Sequence, residues 1–440
     1  MSDHDHPPET WAPVRRAAAA IASPIQQVLA VEATSGIVLL VATVAALVWA
    51  NAAPASYEAL WHTPIGAHVG PWAFERPLHF WVNDGLMTVF FFVVGLEIRR
   101  EIYEGELATA RQAALPLAAA LGGMVAPALI FTALNAGREG AVAWAVPMAT
   151  DIAFAVGVLT LLGARVAPSL RILLLALAVI DDIGSIVVIA LFYSAGISGG
   201  GVALALAGIA AVLVMRAAGV RTPLLYVVPG VVVWSGLLVA GLHPTLAGVV
   251  LGLATPVRSW FGPSRFAAAT QQHLDQLPED DRPALLASLG EIERARREAV
   301  SPAERLVHAL HPWVAFVAMP IFALANAGVA LGGARFSGDH AWLFAGIVAG
   351  LVVGKPLGIT AVSLLAARVG LARRSEDATP RGIVLVGIVG GIGFTMSLFI
   401  AQLAFPPGPL LDTAKLAILV GSGVAMLAGL AFGLATRARR

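Results

Sequence analysis

Residues 177–188, LAVIDDIGSIVV, place two adjacent carboxylates in an otherwise apolar run. Asp181 and Asp182 are the only charged residues between Arg171 and Arg216. A charged side chain at the centre of a membrane span costs about 2.5–3.5 kcal/mol on insertion scales, so such residues are rare and serve a function. Two in succession therefore predict a functional site inside the membrane.

The composition of the whole chain supports a membrane location. Of 440 residues, 58% are hydrophobic and only 12% are charged, whereas soluble domains average about 25% charged. Apolar blocks near the length of about 20 residues that a spanning helix requires number about twelve. They are 33–52, 81–103, 112–136, 141–163, 168–195, 200–217, 223–241, 244–258, 308–331, 343–367, 382–405 and 413–436. The sequence thus predicts an all-α polytopic membrane protein whose first span is not cleaved as a signal peptide.

Basic residues predict the orientation of these spans. If the N-terminus is inside, 23 arginines fall in inner loops and tails, against three arginines and one lysine outside. Because basic residues accumulate on the cytoplasmic side, both termini are expected there and the number of spans is expected to be even.

Polar segments divide the chain into predicted regions. A cytoplasmic tail (1–32) precedes the transmembrane domain (33–436), and a short cytoplasmic tail (437–440) follows it. Residues 54–80 form an outer hairpin or loop, and residues 259–305 form an inner loop with an amphipathic helix, ALLASLGEIERARREAV. Either segment can be a simple linker. The alternative for residues 54–80 is a dimer contact, and the alternative for residues 259–305 is a regulatory element.

Four ionisable residues fall near mid-membrane depth: Asp151, Asp181, Asp182 and Lys355. Neighbouring helix positions point about 100° apart, so one aspartate can face a water-filled cavity while the other faces a partner. Like charges in a medium of low dielectric constant hinder one another's ionisation, so this pair can hold a proton or a small cation, but not both. That exclusion is the physical basis of antiport.

Lys355 is a candidate partner, because only two of the 28 basic residues are lysines. Lysine can lose its proton when buried, whereas arginine stays charged. A mid-membrane lysine in an arginine-rich chain therefore indicates a cation that can be switched off. A structural ion pair with Asp151 or Asp181 is the alternative, and both roles are compatible.

Two spans carry signals of interruption. Pro147 and Thr150 precede Asp151 in the fourth span, and proline removes a helical hydrogen bond. The stretch 385–402 of the eleventh span, LVGIVGGIGFTMSLFIAQ, contains four glycines, Gly387, Gly390, Gly391 and Gly393. Interrupted segments at corresponding positions of two halves predict inverted three-helix repeats, here spans 3–5 and 10–12, with a site at the midplane.

Six motifs identify a family. ATDIAFAVGVL (149–159), LAVIDDIGSI (177–186), LHPTLAGVV (242–250), FALANAGV (322–329), GKPLGI (354–359) and GIGFTMSLFIAQLAF (391–405) occur in this order. Together they closely resemble NhaA-type sodium/proton antiporters from about Ile37 to the last span. Inverted repeats are themselves a known feature of that family.

The resemblance implies a transporter rather than an enzyme, an electrogenic exchange of one sodium ion for more than one proton. Asp181 and Asp182 would bind the cation and protons, with Asp182 more exposed, and Lys355 would pair with Asp181 and release its own proton. Asp151 and Thr150 would lie at the crossing of the broken helices, where Thr150 contributes to the sodium site.

The same resemblance implies sodium, lithium and protons as substrates, no cofactor, a role in pH and sodium homeostasis, and a bacterial cytoplasmic (inner) membrane location. A homodimer through the 54–80 hairpin is also implied, and nucleic acid is not expected as a partner.

Activation at alkaline pH is implied as well. The matching positions are Glu97, Arg100 and Glu101 in GLEIRRE, His308 and His311 in LVHALHPW, and His243 on the outer side. Val307 departs from the family pattern, which has an acidic residue there, and the 259–305 loop is long, so the pH set-point is open. A packed, neutral role is the alternative for each histidine.

Asp84 also matches the family and is expected to make a structural hydrogen bond.

Three other functions stay open on the residues alone. A proton-coupled symporter for an organic solute would need aromatic or arginine side chains at the midplane, where Lys355 is the only cation. An intramembrane aspartyl protease would need YD and GxGD motifs, which IDDIG and ATDIA do not match. A passive sodium channel would not respond to an imposed pH gradient by reversing its flux.

Overall fold

The apolar blocks of the sequence fold into helices in a computed structural model. The structure describes residues 32–436 apart from 70–71, 195, 221, 258–269, 272–287, 294–298, 331, 333–336, 373–374 and 376. The predicted tails, except for residue 32, and most of the 259–305 loop lie outside the described residues. Within that loop, residues 288–293 are helical.

The long elements follow one another as helices with short connections. They are α1 (Glu32–Ala52), α2 (Pro54–Trp61), α3 (Leu78–Glu104), α4 (Ala110–Asn135), α5 (Ile152–Leu162), α6 (Pro168–Phe192), α7 (Gly199–Ala217), α8 (Pro223–Ala240), α9 (Leu246–Ala254), α10 (Pro302–Asn326), α11 (Asp339–Arg368), α12 (Pro380–Gly390), α13 (Phe394–Ala404) and α14 (Pro409–Ala435).

The helices account for eleven of the predicted spans. Within the described part of the chain, nine helices are long and apolar enough to cross a membrane, and two bent helix pairs each have the composition of one more span. The predicted eighth span, 244–258, contains only α9, whose nine residues rise about 13 Å. The polytopic helical architecture is confirmed, whereas the count of twelve and the repeats stay predictions.

Residues 54–80 contain the one sheet among the described residues. Strands β1 (Pro64–Val69) and β2 (Trp72–Pro77) pair antiparallel, with Pro64 opposite Pro77. Trp81 at the start of α3 donates its indole N–H to the carbonyl oxygen of Ile65 at 2.9 Å. This bond attaches the ribbon to the end of a spanning helix.

The fourth and eleventh spans are both broken. In the fourth, 3₁₀ turns at Glu139–Ala143 and Val146–Met148 precede α5 at an angle of 45°, and in the eleventh α12 meets α13 at 45°. The two breaks touch, because the backbone N–H of Asp151 donates to Ile392 O at 2.7 Å. The interruptions predicted from Pro147 and the glycines are therefore present, and they face each other.

Helix α6 lies at the centre of the bundle. In its most apolar stretch 61% of the residues are buried, against 22–44% for the other unbroken candidate spans. It packs against α3, α4, α5 and α12. The helix that carries the two adjacent aspartates is consequently the one most enclosed by protein.

Candidate functional site

Asp181 and Asp182 lie in the middle of α6 and are both buried, with 1% and 2% of their surface exposed. The flanking residues Leu177, Ala178 and Ser185 are buried too. Carboxylates this far from water need a compensating proton, cation or hydrogen-bond donor. The surroundings of Asp181 and Asp182 differ, so the two carboxylates are compensated in different ways.

Asp181 pairs with Lys355 across the bundle. The ammonium nitrogen of Lys355 lies 2.5 Å from Asp181 Oδ2, and the lysine side chain has no exposed surface. The residues alone left Asp151 and Asp181 open as partners, and the structure shows the lysine at Asp181, the partner that the resemblance implied. Lys355 directly follows a π-helical stretch, Gly350–Gly354, a local widening that is frequent at functional sites.

Thr150 connects this ion pair to the broken helices. Its hydroxyl oxygen accepts from Lys355 Nζ and lies 2.7 Å from Asp181 Oδ2 and 3.0 Å from Gly390 O. A hydroxyl has one hydrogen, so it donates to one of these two oxygens at a time. Because Gly390 ends α12, the threonine links the pair to the negative end of a half-helix.

Asp151 is the N-cap of α5 and also holds the start of α13. Its Oδ1 accepts from Phe154 N at 3.1 Å, and its Oδ2 accepts from Thr395 N at 3.1 Å and from the Thr395 hydroxyl. One carboxylate therefore accepts hydrogen bonds from the N-termini of two helices, whose partial charges are positive. Thr395 was not predicted as a site residue, although its place after the glycine-rich break was an available signal.

Asp182 has a different environment from Asp181. Its carboxylate makes no hydrogen bond with the described residues, and Asp181 Oδ1 is likewise buried without a partner among them. The charge of Glu97 on α3 reaches Asp182. The arrangement thus combines one carboxylate that is charge-paired on one oxygen with a second that has no resident partner.

The other predicted regulatory residues of α3 lie near its C-terminal end. Arg100 Nη2 is 4.0 Å from Glu101 Oε1, and 42% of the arginine side chain is exposed, so this ion pair is weak. Glu101 also accepts from the backbone N–H of Glu106 at 2.9 Å. Among these three, Glu97 is the residue whose charge interacts with Asp182.

The predicted histidines are not brought to the aspartate pair. His308 and His311 are exposed on α10. Val307, which stands where the family pattern has an acidic residue, is buried against Leu96 and Ala303. An apolar contact therefore replaces a charge at this position.

His243 lies near the C-terminal end of α6. Its Nε2 donates to the carbonyl oxygen of Tyr193, 2.8 Å away and eleven residues, or about 16 Å, beyond Asp182. Burial lowers the pKa of His243, while this hydrogen bond opposes the shift. Burial also raises the pKa of Tyr193 to about 12, and its hydroxyl donates to Val142 O.

Asp84 accepts hydrogen bonds through its backbone carbonyl oxygen. Its carbonyl oxygen accepts from the indole of Trp234 at 3.1 Å and from the Thr88 hydroxyl at 2.5 Å. The expected structural hydrogen bond thus exists, but on the main chain. Its carboxylate interacts with the charge of Arg76.

A second polar cluster, not predicted from the sequence, connects three spans near the ribbon end of the bundle. Asn326 on α10 accepts from His79 at 2.9 Å and donates to Asn83 Oδ1 at 2.8 Å, and Asn83 donates to Gln402 on α13. These amides link a broken span to two unbroken ones, on the side of the site towards the ribbon.

Comparisons with known proteins identify the family of this chain. Residues 26–432 match the family model described as Na+/H+ antiporter 1. A protein named Na+/H+ antiporter NhaA 2 from Sorangium cellulosum is 54% identical over 434 residues, which cover 97% of this chain and 93% of that protein. The Na+/H+ antiporter NhaA of Bordetella petrii is 52% identical, covering 94% of this chain and 91% of its own length.

Proposed function

The chain belongs to the Na+/H+ antiporter 1 family of secondary transporters, and from this premise we propose that it extrudes sodium in exchange for protons at Asp181 and Asp182. The observation that carries the proposal is the pair of buried carboxylates beside the crossing of two broken helices, of which Asp182 has no hydrogen-bond partner among the described residues.

Competition for one site produces the exchange. A buried carboxylate needs a positive charge, and a proton or a sodium ion can supply it. When sodium binds, the protons must leave, and when protons bind, sodium is released. Alternating access to the two sides of the membrane then converts this competition into antiport, which the broken helices make feasible around a fixed midplane site.

Lys355 supplies the second proton. Sodium that binds both carboxylates competes with the lysine ammonium for Asp181, and the displaced lysine, fully buried, sheds its proton. More than one proton then enters for each sodium ion that leaves. One net charge moved by this electrogenic exchange gains about 2.3 kcal/mol from a potential of 100 mV.

Thr150 and Asp151 support the site in different ways. The hydroxyl of Thr150 already lies 2.7 Å from Asp181 and offers a neutral oxygen to sodium or lithium, which as hard cations prefer oxygen ligands. Asp151 compensates the two half-helix N-termini, so that the unwound backbone stays in place.

Alkaline activation is assigned to the charges at the inner end of the bundle. Glu97 is the strongest candidate because its charge reaches Asp182. Arg100 and Glu101 flank it, and His308 and His311 lie exposed on α10. His243, on the other side of the aspartates, is the outer member of this set.

The protein works in pH and sodium homeostasis in a bacterial cytoplasmic membrane, with both termini inside. Two copies associate through the ribbon of residues 54–80. The backbone edges of its two strands are available to a second copy, because the sheet has no third strand among the described residues.

The test is sodium-dependent dissipation of an imposed pH gradient in proteoliposomes. Wild-type protein is expected to dissipate the gradient on addition of sodium or lithium, and Asp182→Asn is expected to abolish the response. Asp339→Asn, at a surface aspartate with 36% exposure, is the matched control and should retain it. No response in wild type between about pH 6 and 9, the range in which histidines and coupled carboxylates titrate, would refute antiport.

The stoichiometry needs a second measurement. Setting the membrane potential with potassium and valinomycin should change the rate if more than one proton exchanges per sodium ion. An electroneutral exchange would not respond.

A further inference from the structure

Ser185 is the one hydroxyl on the buried face of α6 that Asp181 also occupies. It is 1% exposed, and its Oγ has no hydrogen-bond partner among the described residues. Because it stands four residues after Asp181 and three after Asp182, it lies within one helical turn of both carboxylates.

Helix geometry directs Ser185 between the two aspartates. At 100° per residue, Asp182 points about 100° from Asp181, and Ser185 points about 40° from Asp181 in the same sense. Viewed down the helix axis, the serine therefore projects between the carboxylates. It stands about 4.5–6 Å further along α6, on the side towards Phe192.

The hydroxyl of Ser185 is not used by the backbone of its own helix. Serine and threonine within a helix commonly donate to the carbonyl oxygen four residues earlier. Thr43 in α1 does so here, and Ser194 and Thr255, just after the ends of α6 and α9, make the same bond, at 2.8–2.9 Å. Ser185 makes no such bond, so its oxygen stays available to a ligand, as does Asp181 Oδ1, which also has no partner among the described residues.

A sodium ion at the aspartates needs such an oxygen. Hard cations are held by several oxygen ligands, yet the described residues contain no group of three or more acidic or histidine side chains that could hold a metal ion. The two carboxylates must therefore be supplemented by neutral oxygens. Lys355 and Thr150 lie at Asp181 Oδ2, which leaves Oδ1 free.

We propose that the Ser185 hydroxyl is a ligand of the transported cation, completing the site with Asp181 Oδ1 and Asp182 on the side towards Phe192. This inference rests on the proposed exchange at the aspartates and adds a neutral ligand that sets cation affinity. The hydroxyl carries no charge, so it contributes to cation binding without holding one of the exchanged protons.

Ser185→Ala tests the proposal in the proteoliposome assay. The sodium concentration that gives half-maximal dissipation is expected to rise about tenfold, the equivalent of one lost ligand, while the maximal rate changes less. Ser185→Thr keeps a hydroxyl and should stay within about twofold of wild type on the same scale. Ser363→Ala is the matched control, since Ser363 is equally buried and unpartnered but lies two turns beyond Lys355 on α11.

The outcomes separate this inference from the function on which it rests. An unchanged half-saturating concentration in Ser185→Ala, with wild type active and Asp182→Asn inactive, overturns the serine ligand and leaves the exchange site intact. An equal rise in Ser363→Ala also overturns it, because the effect would then come from losing any buried hydroxyl. Wild-type protein that ignores sodium overturns both.

Discussion

Replacing Asp151 by alanine measures how strongly one carboxylate holds the two broken helices. The side chain is 1% exposed and accepts from Phe154 N, Thr395 N and the Thr395 hydroxyl. A buried donor left without its acceptor costs about 1–3 kcal/mol, so three such donors amount to about 3–9 kcal/mol. Since proteins are stable by about 5–15 kcal/mol, Asp151→Ala removes a large part of the total.

Asparagine at the same position separates hydrogen bonding from charge. Asp151→Asn keeps one acceptor oxygen but loses the negative charge that faces two positive helix ends. We expect a loss of about 1–3 kcal/mol, between wild type and the alanine variant. This order, wild type above asparagine above alanine, is the signature of a shared cap.

The assay is equilibrium unfolding in mixed micelles of a mild and a denaturing detergent. Asp339→Ala is the matched control: this aspartate also accepts from two donors, Arg138 Nη1 at 3.1 Å and Glu139 N at 3.4 Å, but is 36% exposed. Water replaces the lost acceptor there, so the expected cost is below about 1 kcal/mol. If the two alanine variants lose the same free energy of unfolding, the double-cap argument is wrong.

Three further changes test separate features. Lys355→Met leaves Asp181 buried without its cation and should cost about 3–5 kcal/mol of unfolding free energy, most of which adding Asp181→Leu restores. The lowered pKa of His243 contributes stability that is fully present above its ordinary pKa of 6.5 and is lost as pH falls below it. His243→Gln should therefore lose less stability than wild type between about pH 7 and 5. Gly122→Ala places a Cβ 2.1 Å from a backbone oxygen of α11 and should cost about 1–3 kcal/mol, whereas Gly423→Ala, with no atom within 4 Å, should gain up to about 1 kcal/mol.

Each of these has a contrary result. A double variant at Lys355 and Asp181 as unstable as the single lysine variant would mean that the side chains pack rather than pair. Equal pH dependence for His243→Gln and wild type would exclude this histidine as a source of acid sensitivity. Equal melting of Gly122→Ala and Gly423→Ala would contradict the close contact of α4 with α11.

Several features of the site were predictable from short stretches of sequence. Pro147 and the glycines of span 11 predicted two breaks, and both breaks are present. These properties depend on composition and on neighbours within one or two helical turns, where the chemistry of proline, glycine and buried charge acts locally. The number of spans was less predictable, because α9 is apolar yet only nine residues long.

The partners of the ionisable residues were decided by tertiary structure. Lys355 and Asp181 are 174 residues apart in the chain, and Asp151 and Thr395 are 244 apart. The residues alone left both Asp151 and Asp181 as candidates for the lysine, and only the family resemblance favoured Asp181, because hydropathy places residues by depth and leaves their direction around each helix open. The buried packing of Val307 likewise depends on Leu96, a residue from another span.

The sequence by itself therefore determined that this chain is a membrane protein, that its ionisable residues lie deep in apolar spans, and that two spans are broken. The family resemblance implied that Asp181 pairs with the lysine, but only the tertiary structure decided the atoms of that contact, the donors that Asp151 accepts from and the lack of a hydrogen-bond partner for Asp182 among the described residues. The physical reason is range: burial of apolar side chains sets depth residue by residue, whereas ion pairs and hydrogen bonds form only where packed helices bring atoms within about 3 Å of each other.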